Sequence, residues 1–330
     1  MAYVCIKYEC RAPAATTNVS LAEIYDTTLE QIAWVDSLGY PVTINFCEHH
    51  GSDDEYLPSP IVLAAAAARI TKNVRLQVNA IMPFLDPLRV AEDVAVLDQL
   101  SRGRAEVLLL GGYVPSEMTM FGVDPKQRGR LMDEGVVALK AAWTGEPFEY
   151  RGRRCQIRPH PFQQPHPPIF MGGTSAPAAR RAARAGDAFI GGLTELNEIY
   201  VKECAAHGRP ARYQGNMPFS ILFVSENPDA DWERIAPYCL YETNTYARWQ
   251  ASADQGGMFN SALDAATLRS WGTYQTATPE QVIARARSDM APNDAFILHP
   301  LVAGMEKSLS WSGLRLFFEK VAPHVPLNGL

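Results

Sequence analysis

The stretch Val74–Gly112 reads VRLQVNAIMPFLDPLRVAEDVAVLDQLSRGRAEVLLLGG. Val74–Ala80 is a strand-like run. Asp86-Pro87 then offers an N-cap and a first-turn proline for a helix over Leu88–Leu100, and Gly103 follows its end. Ala105–Leu110 is a second strand, closing on Gly111-Gly112. A strand, a helix and a strand in that order predict parallel strands with the helix packed on their face.

The same alternation extends in both directions. Further strands are predicted at Val4–Tyr8, Val42–Cys47, Pro168–Gly172, Asp187–Ile190, Phe219–Val224 and Ala295–Pro300. Asp124-Pro125 opens a helix whose Leu131, Met132, Val136, Leu139 and Trp143 recur at helical spacing before Gly145 and Pro147. Another helix starts after Gly172-Gly173-Thr174-Ser175, with Pro177 near its first turn, and runs to Gly186. With the two strands above, this makes eight, the number of a (β/α)8 TIM barrel. The chain is read as a single α/β barrel domain over 1–330 with insertion segments near 148–167 and 239–278. The second of these carries Tyr241, Tyr246, Trp249, Gly256-Gly257, Phe259 and Trp271, a set suited equally to a pocket wall or to core.

At 330 residues and 47% hydrophobic, the composition is that of a globular protein. A net charge of −6, with Lys and Arg spread along the chain, argues against nucleic acid as a partner. Met1–Tyr8 reads as an opening strand rather than a signal peptide, and the apolar run Ile61–Ala68 is far short of the roughly 20 residues of a membrane span. A cytoplasmic protein without a membrane partner is the expectation. The six cysteines form no Cys-x-x-Cys pair and read as free thiols.

Three clusters carry possible chemistry. The strand ending Cys47-Glu48-His49-His50-Gly51 puts polar groups where a barrel has its active site. Adjacent residues there point to opposite sides, so one histidine faces the pocket while the other packs outside it. Taken alone, Glu-His-His is more often a hydrogen-bonded structural cluster than a catalytic one. No companion ligands occur at motif spacing, and no metal is expected. The turn Gly172-Gly173-Thr174-Ser175-Ala176-Pro177 could cradle an anion through backbone N–H groups, hydroxyls and a helix N-terminus, or could merely cap that helix. Leu110-Gly111-Gly112 could admit a flat ring close to the backbone, and Arg128 or Arg130 could reach a phosphate.

Taken in order, several segments resemble the luciferase-like flavin-dependent monooxygenase family. They are Glu48-His49-His50; Pro87–Val94 continuing through Leu97–Arg104; Phe121-Gly122-Val123; Trp143–Glu146; Pro167-Pro168-Ile169; Gly172–Ser175; and Ala182–Asp187. The resemblance is dense over residues 42–192 and continues elsewhere as strand and helix rhythm.

The resemblance implies a barrel that binds reduced FMN, its phosphate held by Gly173, Thr174 and Ser175 with Arg128, and its ring contacted by Asn79 and the Gly111-Gly112 backbone. It implies a non-proline cis peptide around Val78-Asn79-Ala80. The first histidine of the family's Glu-His-His motif is the catalytic one, which carries over to His49 as a general acid/base. One departure stands out: the catalytic luciferase subunit has an arginine just after the fourth strand, where this chain has Gly111. A changed flavin contact or substrate follows, and light emission does not. The implied reaction uses reduced FMN and oxygen, through a peroxyflavin, to oxidise a small apolar organic substrate. Reduced flavin would come from a separate NAD(P)H:flavin reductase, since no dinucleotide fingerprint is present, and the family's habit implies a homodimer. The rival readings are a hydride-transfer oxidoreductase using the deazaflavin coenzyme, and a flavin-binding protein without turnover.

Overall fold

The computed structural model describes residues 2–253 and 260–329. Gly256, Gly257 and Phe259 of the aromatic-rich region lie outside them. In chain order its elements begin β1 (Ala2–Tyr8), α1 (Leu21–Ser37), β2 (Val42–Phe46), α2 (Pro60–Ile70), β3 (Arg75–Ile81), α3 (Pro87–Ser101) and β4 (Ala105–Leu110). They continue with α4 (Pro115–Met120), α5 (Arg128–Trp143), β5 (Phe148–Tyr150), β6 (Arg153–Cys155), β7 (Ile169–Gly172), α6 (Ala176–Ala185) and β8 (Ala188–Ile190). The last are α7 (Thr194–Ala206), β9 (Phe219–Val224), α8 (Pro228–Ser252), α9 (Ala265–Ser270), β10 (Tyr274–Ala277), α10 (Pro279–Asp289), β11 (Ala295–Leu298), α11 (Lys307–Leu316) and β12 (Leu327–Asn328).

These elements form two compact units, Met1–Pro58 with Gly215–Leu330, and Ser59–Gln214. In the first, parallel strands lie in the order β10-β9-β11-β1-β2, and β12 adds to the start of β1. In the second, β3-β4-β7-β8 are parallel, and β5 and β6 form a separate antiparallel hairpin. All eight strands expected from the sequence are present. The additional β10 pairs with β9 on the side away from β11, so chain order and spatial order part company there. Its sequence, Tyr-Gln-Thr-Ala, has neither the apolar run nor the alternation that marks a strand.

The helix signals work as their chemistry requires. Asp86 caps α3 by accepting from the Leu88 amide, and α3 ends with Arg102 left-handed and Gly103 at φ +85°. Ser20 and Glu23 form a reciprocal capping box on α1. The region expected as an excursion from Cys239 begins inside a helix: α8 runs unbroken to Ser252 through Pro237, although proline removes the amide that would bond the Glu233 carbonyl. No helix among the described residues is long and apolar enough to cross a membrane.

One expectation is corrected. The cis peptide bonds among the described residues are Arg158-Pro159 and Gln164-Pro165, and none falls at Val78-Asn79-Ala80. β3 pairs residue for residue with β4 from Leu76↔Ala105 to Ile81↔Leu110, a register that ordinary trans strand geometry satisfies.

A buried carboxylate helps to tie down the segment between α5 and β7. Asp98 of α3, fully buried, accepts from the Gln163 amide at 2.8 Å and from the Gln163 side chain at 2.7 Å, and that side chain also donates to the Ala105 carbonyl. Asp98→Ala should therefore cost about 2 kcal/mol in urea unfolding, because two donors lose their acceptor. Hydrogen exchange should quicken first across 156–167; unchanged protection there would show that Asp98 does not hold the segment.

Candidate active site

β2 ends at Phe46, and the chain leaves it through Cys47, Glu48, His49 and His50. The two histidines separate as the alternation of an extended chain demands. His50 turns to Glu48, with Nε2 3.1 Å from its carboxylate. His49 is 8% exposed and lies among rings: Trp249 at 4.5 Å between centroids, Tyr56 edge-on at 4.9 Å and Tyr246 at 5.9 Å. Tyr56 comes from the loop after β2, while Tyr246 and Trp249 come from one face of α8. Their hydroxyls meet, Tyr56 and Tyr246 being 2.8 Å apart.

Behind this box lies a buried set of charges that the sequence reading did not anticipate. Lys7, near the end of β1, reaches Glu242 of α8 at 3.0 Å and donates to the Tyr246 hydroxyl at 3.4 Å. Glu242 also accepts from the Tyr274 hydroxyl at 2.6 Å and lies 3.3 Å from Nδ1 of His299. Glu9 pairs with Arg11 at 2.8 Å and accepts from the Ala303 amide. Arg11 is fully buried, reaches Asp54 at 3.2 Å, and has the rings of Tyr56, Tyr241 and Tyr246 within about 5.5 Å.

Burial alone would pull the Lys7 ammonium down. Glu242, with Tyr246, Cys47 and Glu9 behind it, outweighs burial and holds Lys7 well above its ordinary value. Burial likewise pushes Glu242 up, but Lys7, His299 and Arg11 prevail and hold its carboxyl well below the usual range. Burial raises Tyr56 and Tyr246, which therefore serve as neutral hydrogen-bonding groups. Burial also lifts the Cys47 thiol to about 11 and Cys10 to about 12, which removes both as nucleophiles near neutrality. All six cysteines are free.

Glu9, Glu242 and His299 offer three ligand atoms within 4.8 Å of one another. Arg11 and Lys7 already neutralise the two carboxylates, so an added divalent cation would leave this interior with uncompensated positive charge. Neither His49 nor His50 belongs to this group.

His49 lies in the first unit, and the other expected site residues lie in the second. Asn79 is buried in β3 opposite Leu108. Gly111 and Gly112 follow β4. A Cβ at Gly111 would meet open space, whereas Gly112 has φ +65° and a Cβ there would strike Ile81 at 2.9 Å, so this position needs glycine. Arg128, at the start of α5, donates to the Gly112 carbonyl at 3.2 Å, which brings these two expected residues together. Arg130 instead pairs with Glu134 on its own helix. Thr174 and Ser175 are exposed at the start of α6, where Ser175 forms no side-chain cap. The amide end of α6 is therefore available to an anion. A Cβ on Gly173 would lie 2.5 Å from that of Ala178, so the turn packs on the helix only as glycine.

The family model for luciferase-like monooxygenase matches residues 8–290, and the chain belongs to that family. The FMNH(2)-dependent dimethylsulfone monooxygenase of Pseudomonas putida is 30% identical over 173 residues, 49% of this chain and 47% of that protein. The oxygenase component of flavin-dependent trigonelline monooxygenase from Acinetobacter baylyi is 26% identical, covering 68% of this chain and 64% of its own. The chain spans about half the length of the first curated relatives it matches. Among solved structures, the oxygenating constituent of 3,6-diketocamphane monooxygenase from Pseudomonas putida, in complex with FMN, superposes over all of both chains at TM-score 0.76 and 18% identity. An F420-dependent secondary alcohol dehydrogenase gives TM-score 0.71 and 15% identity over 98% of this chain and 99% of its own. These likenesses show the fold to be the luciferase-like, TIM-barrel-like α/β fold expected from the sequence.

The Lys7–Glu242 pair sets a pH window for stability. Glu242, held low, contributes stability that is complete above its ordinary 4.5 and is lost as pH falls toward its folded value. Lys7, held high, contributes stability that is complete below 10.5 and is lost as pH rises through its folded value. Lys7→Met should cost about 3 kcal/mol by leaving the buried Glu242 carboxylate without its ammonium partner, and should move acid unfolding to higher pH. Lys7→Met with Glu242→Gln should recover part of the loss; a double variant no better than the single would refute the pairing.

Proposed function

We propose that the chain is a flavin-dependent monooxygenase that uses reduced FMN and oxygen to oxidise a small apolar organic substrate. The observation that carries this reading is the His49 imidazole held among Tyr56, Tyr246 and Trp249, a proton-transfer group set in an apolar wall. Membership of the family supplies the reaction class.

In this reading His49 acts as general acid/base. Gly173, Thr174 and Ser175 hold the phosphate of FMN with Arg128, and Asn79 and the Gly111-Gly112 backbone contact its ring. The residues fit such a group: the α6 amide end is uncapped by side chain, and Gly173 leaves it unobstructed. When bound, reduced FMN supplies the activation of oxygen, and the chain supplies binding, exclusion of water and proton transfer. The trigonelline relative is an oxygenase component, which favours a separate reductase as the source of reduced flavin. The same reading takes the protein to be a cytoplasmic homodimer, with 1–330 as one barrel domain. The second reading, hydride transfer with a deazaflavin coenzyme, is favoured by the likeness to the F420-dependent dehydrogenase.

Anaerobic titration with reduced FMN and, separately, with reduced deazaflavin, followed by mixing with oxygen, divides these readings. Tight FMN binding with a long-lived peroxyflavin spectrum supports the monooxygenase, and selective deazaflavin binding without an oxygen adduct replaces it with hydride transfer. FMN binding without oxidation of any screened substrate leaves a carrier. His49→Ala should keep flavin affinity and lower turnover about 100-fold. Thr174→Ala with Ser175→Ala should weaken FMN and leave riboflavin, which lacks the phosphate, unaffected; equal weakening of both would place the phosphate elsewhere.

A further inference from the structure

We propose that Lys7 is the substrate-recognising donor of its unit, its ammonium giving one N–H to the oxygen of a neutral carbonyl compound with an apolar body. What is then done to that compound rests on the monooxygenase reading, while the recognition is a property of Lys7. Alternation along β1 puts Tyr3, Cys5 and Lys7 on one face of the sheet. Tyr3 and Cys5 pack with Ala295 and Ile297 in an apolar cluster, so that face is apolar until it reaches Lys7. Lys7 is the one residue of β1 that is not buried, its side chain keeping 20% exposure. Its Nζ lies 5.0 Å from the centroid of the Tyr246 ring, and that centroid lies 5.9 Å from the one of His49. The ammonium and the imidazole therefore stand beside the same ring.

An ammonium carries three N–H donors. Glu242 takes one at 3.0 Å and the Tyr246 hydroxyl a second at 3.4 Å, and Lys7 has no third acceptor among the described residues. A donor left over beside aromatic rings is the arrangement that orients an apolar ligand by its one polar atom. Two observations narrow the ligand. Carboxylates here outnumber the lysine and arginine, Glu9, Glu242 and Asp54 against Lys7 and Arg11, so a further anion is disfavoured and a neutral oxygen favoured. Burial opposes the charge on Lys7, yet Glu242 keeps it protonated well above its ordinary value. It therefore meets a carbonyl as a hydrogen-bond donor and does not attack it as an amine.

The probes are cyclopentanone, cyclohexanone, acetophenone and 2-octanone, each paired with the analogue in which a methylene group replaces the oxygen. Affinities are read by calorimetry in the flavin-free protein and again with FMN. In the native chain at least one ketone should bind, with its carbonyl stretch moved to lower frequency in the infrared. Lys7→Met with Glu242→Gln removes the donor without leaving a bare carboxylate. That ketone should lose about 10-fold or more in affinity in the double variant, as expected for a hydrogen bond to a charged donor. Its methylene analogue should change by no more than about twofold, and the carbonyl frequency should return toward its unbound value. Lys7→Met alone should give the same loss and covers the case in which the double variant fails to fold. The proposal is overturned if no ketone binds the native chain, if ketone and analogue lose affinity equally, or if the frequency shift survives the variants, since the donor is then another group. Tighter binding of cyclohexanecarboxylate than of cyclohexanone overturns the neutral ligand. Ketone recognition in a chain that fails to bind reduced FMN would sink the monooxygenase reading alone, and FMN binding without ketone recognition would sink this inference alone.

Discussion

A lysine within an apolar strand has to find a carboxylate or leave the interior, because an unpaired buried charge costs several kcal/mol. Lys7 sits in Ala-Tyr-Val-Cys-Ile-Lys-Tyr, a strand otherwise buried, and its carboxylate is Glu242, on a helix more than 230 residues later in the chain. That pairing sets where α8 lies against β1 within its unit. Once α8 is placed, Tyr274 of β10 and His299 after β11 close on the same carboxylate, and Arg11 joins Glu9 to the Asp54 loop. The charges are useful here because they have only one well-paired arrangement, whereas apolar contacts tolerate several.

Much of the architecture was legible because its signals are local. An Asp-Pro cap, a helical stripe and a trailing glycine all fall within the length of α3, and each acts on the backbone next to it. The place of His49 was legible for a related reason, since Glu-His-His is contiguous at the end of β2, while its catalytic role is what the resemblance implies. Lys7, Glu9, Arg11, Glu242 and His299 were not recognised, because no spacing rule spans β1, α8 and the end of β11. A weaker trace was available: Glu242 interrupts a buried face of α8 that runs through Ile235, Cys239 and Tyr246, and Lys7 interrupts a buried strand. Two opposite charges, each out of place in its own element, are a physical argument for contact. The β3 register shows the opposite failure, where an expectation imported with the resemblance met a strand whose ladder is regular.

The two units solve different problems with different parts of the polypeptide. In Ser59–Gln214 the features suited to a ligand are largely backbone: the left-handed Gly112, the Gly173 turn and the open amide end of α6. Such features bind anything with an anion or a flat face, and they constrain neighbouring side chains little. In the other unit the candidate chemistry is all side chain, and each group there is held by another. Generic binding through backbone and individual chemistry through side chains is a division that lets related chains share a cofactor class while differing in reaction.

The helix α8 limits how far such differences can go in this chain. Glu242, Tyr246 and Trp249 are spaced i, i+4, i+7, one stripe of a continuous helix from Pro228 to Ser252. The stripe meets Lys7 at one end and His49 at the other, so its phase is fixed twice. Adding or removing one residue between Glu242 and Trp249 would turn the rest of the stripe by about 100° and take either the anchor or the rings out of place. Length changes are excluded from that segment for this reason, and variation in substrate must come from side chains that line the box without belonging to the stripe, or from the chain beyond Ser252.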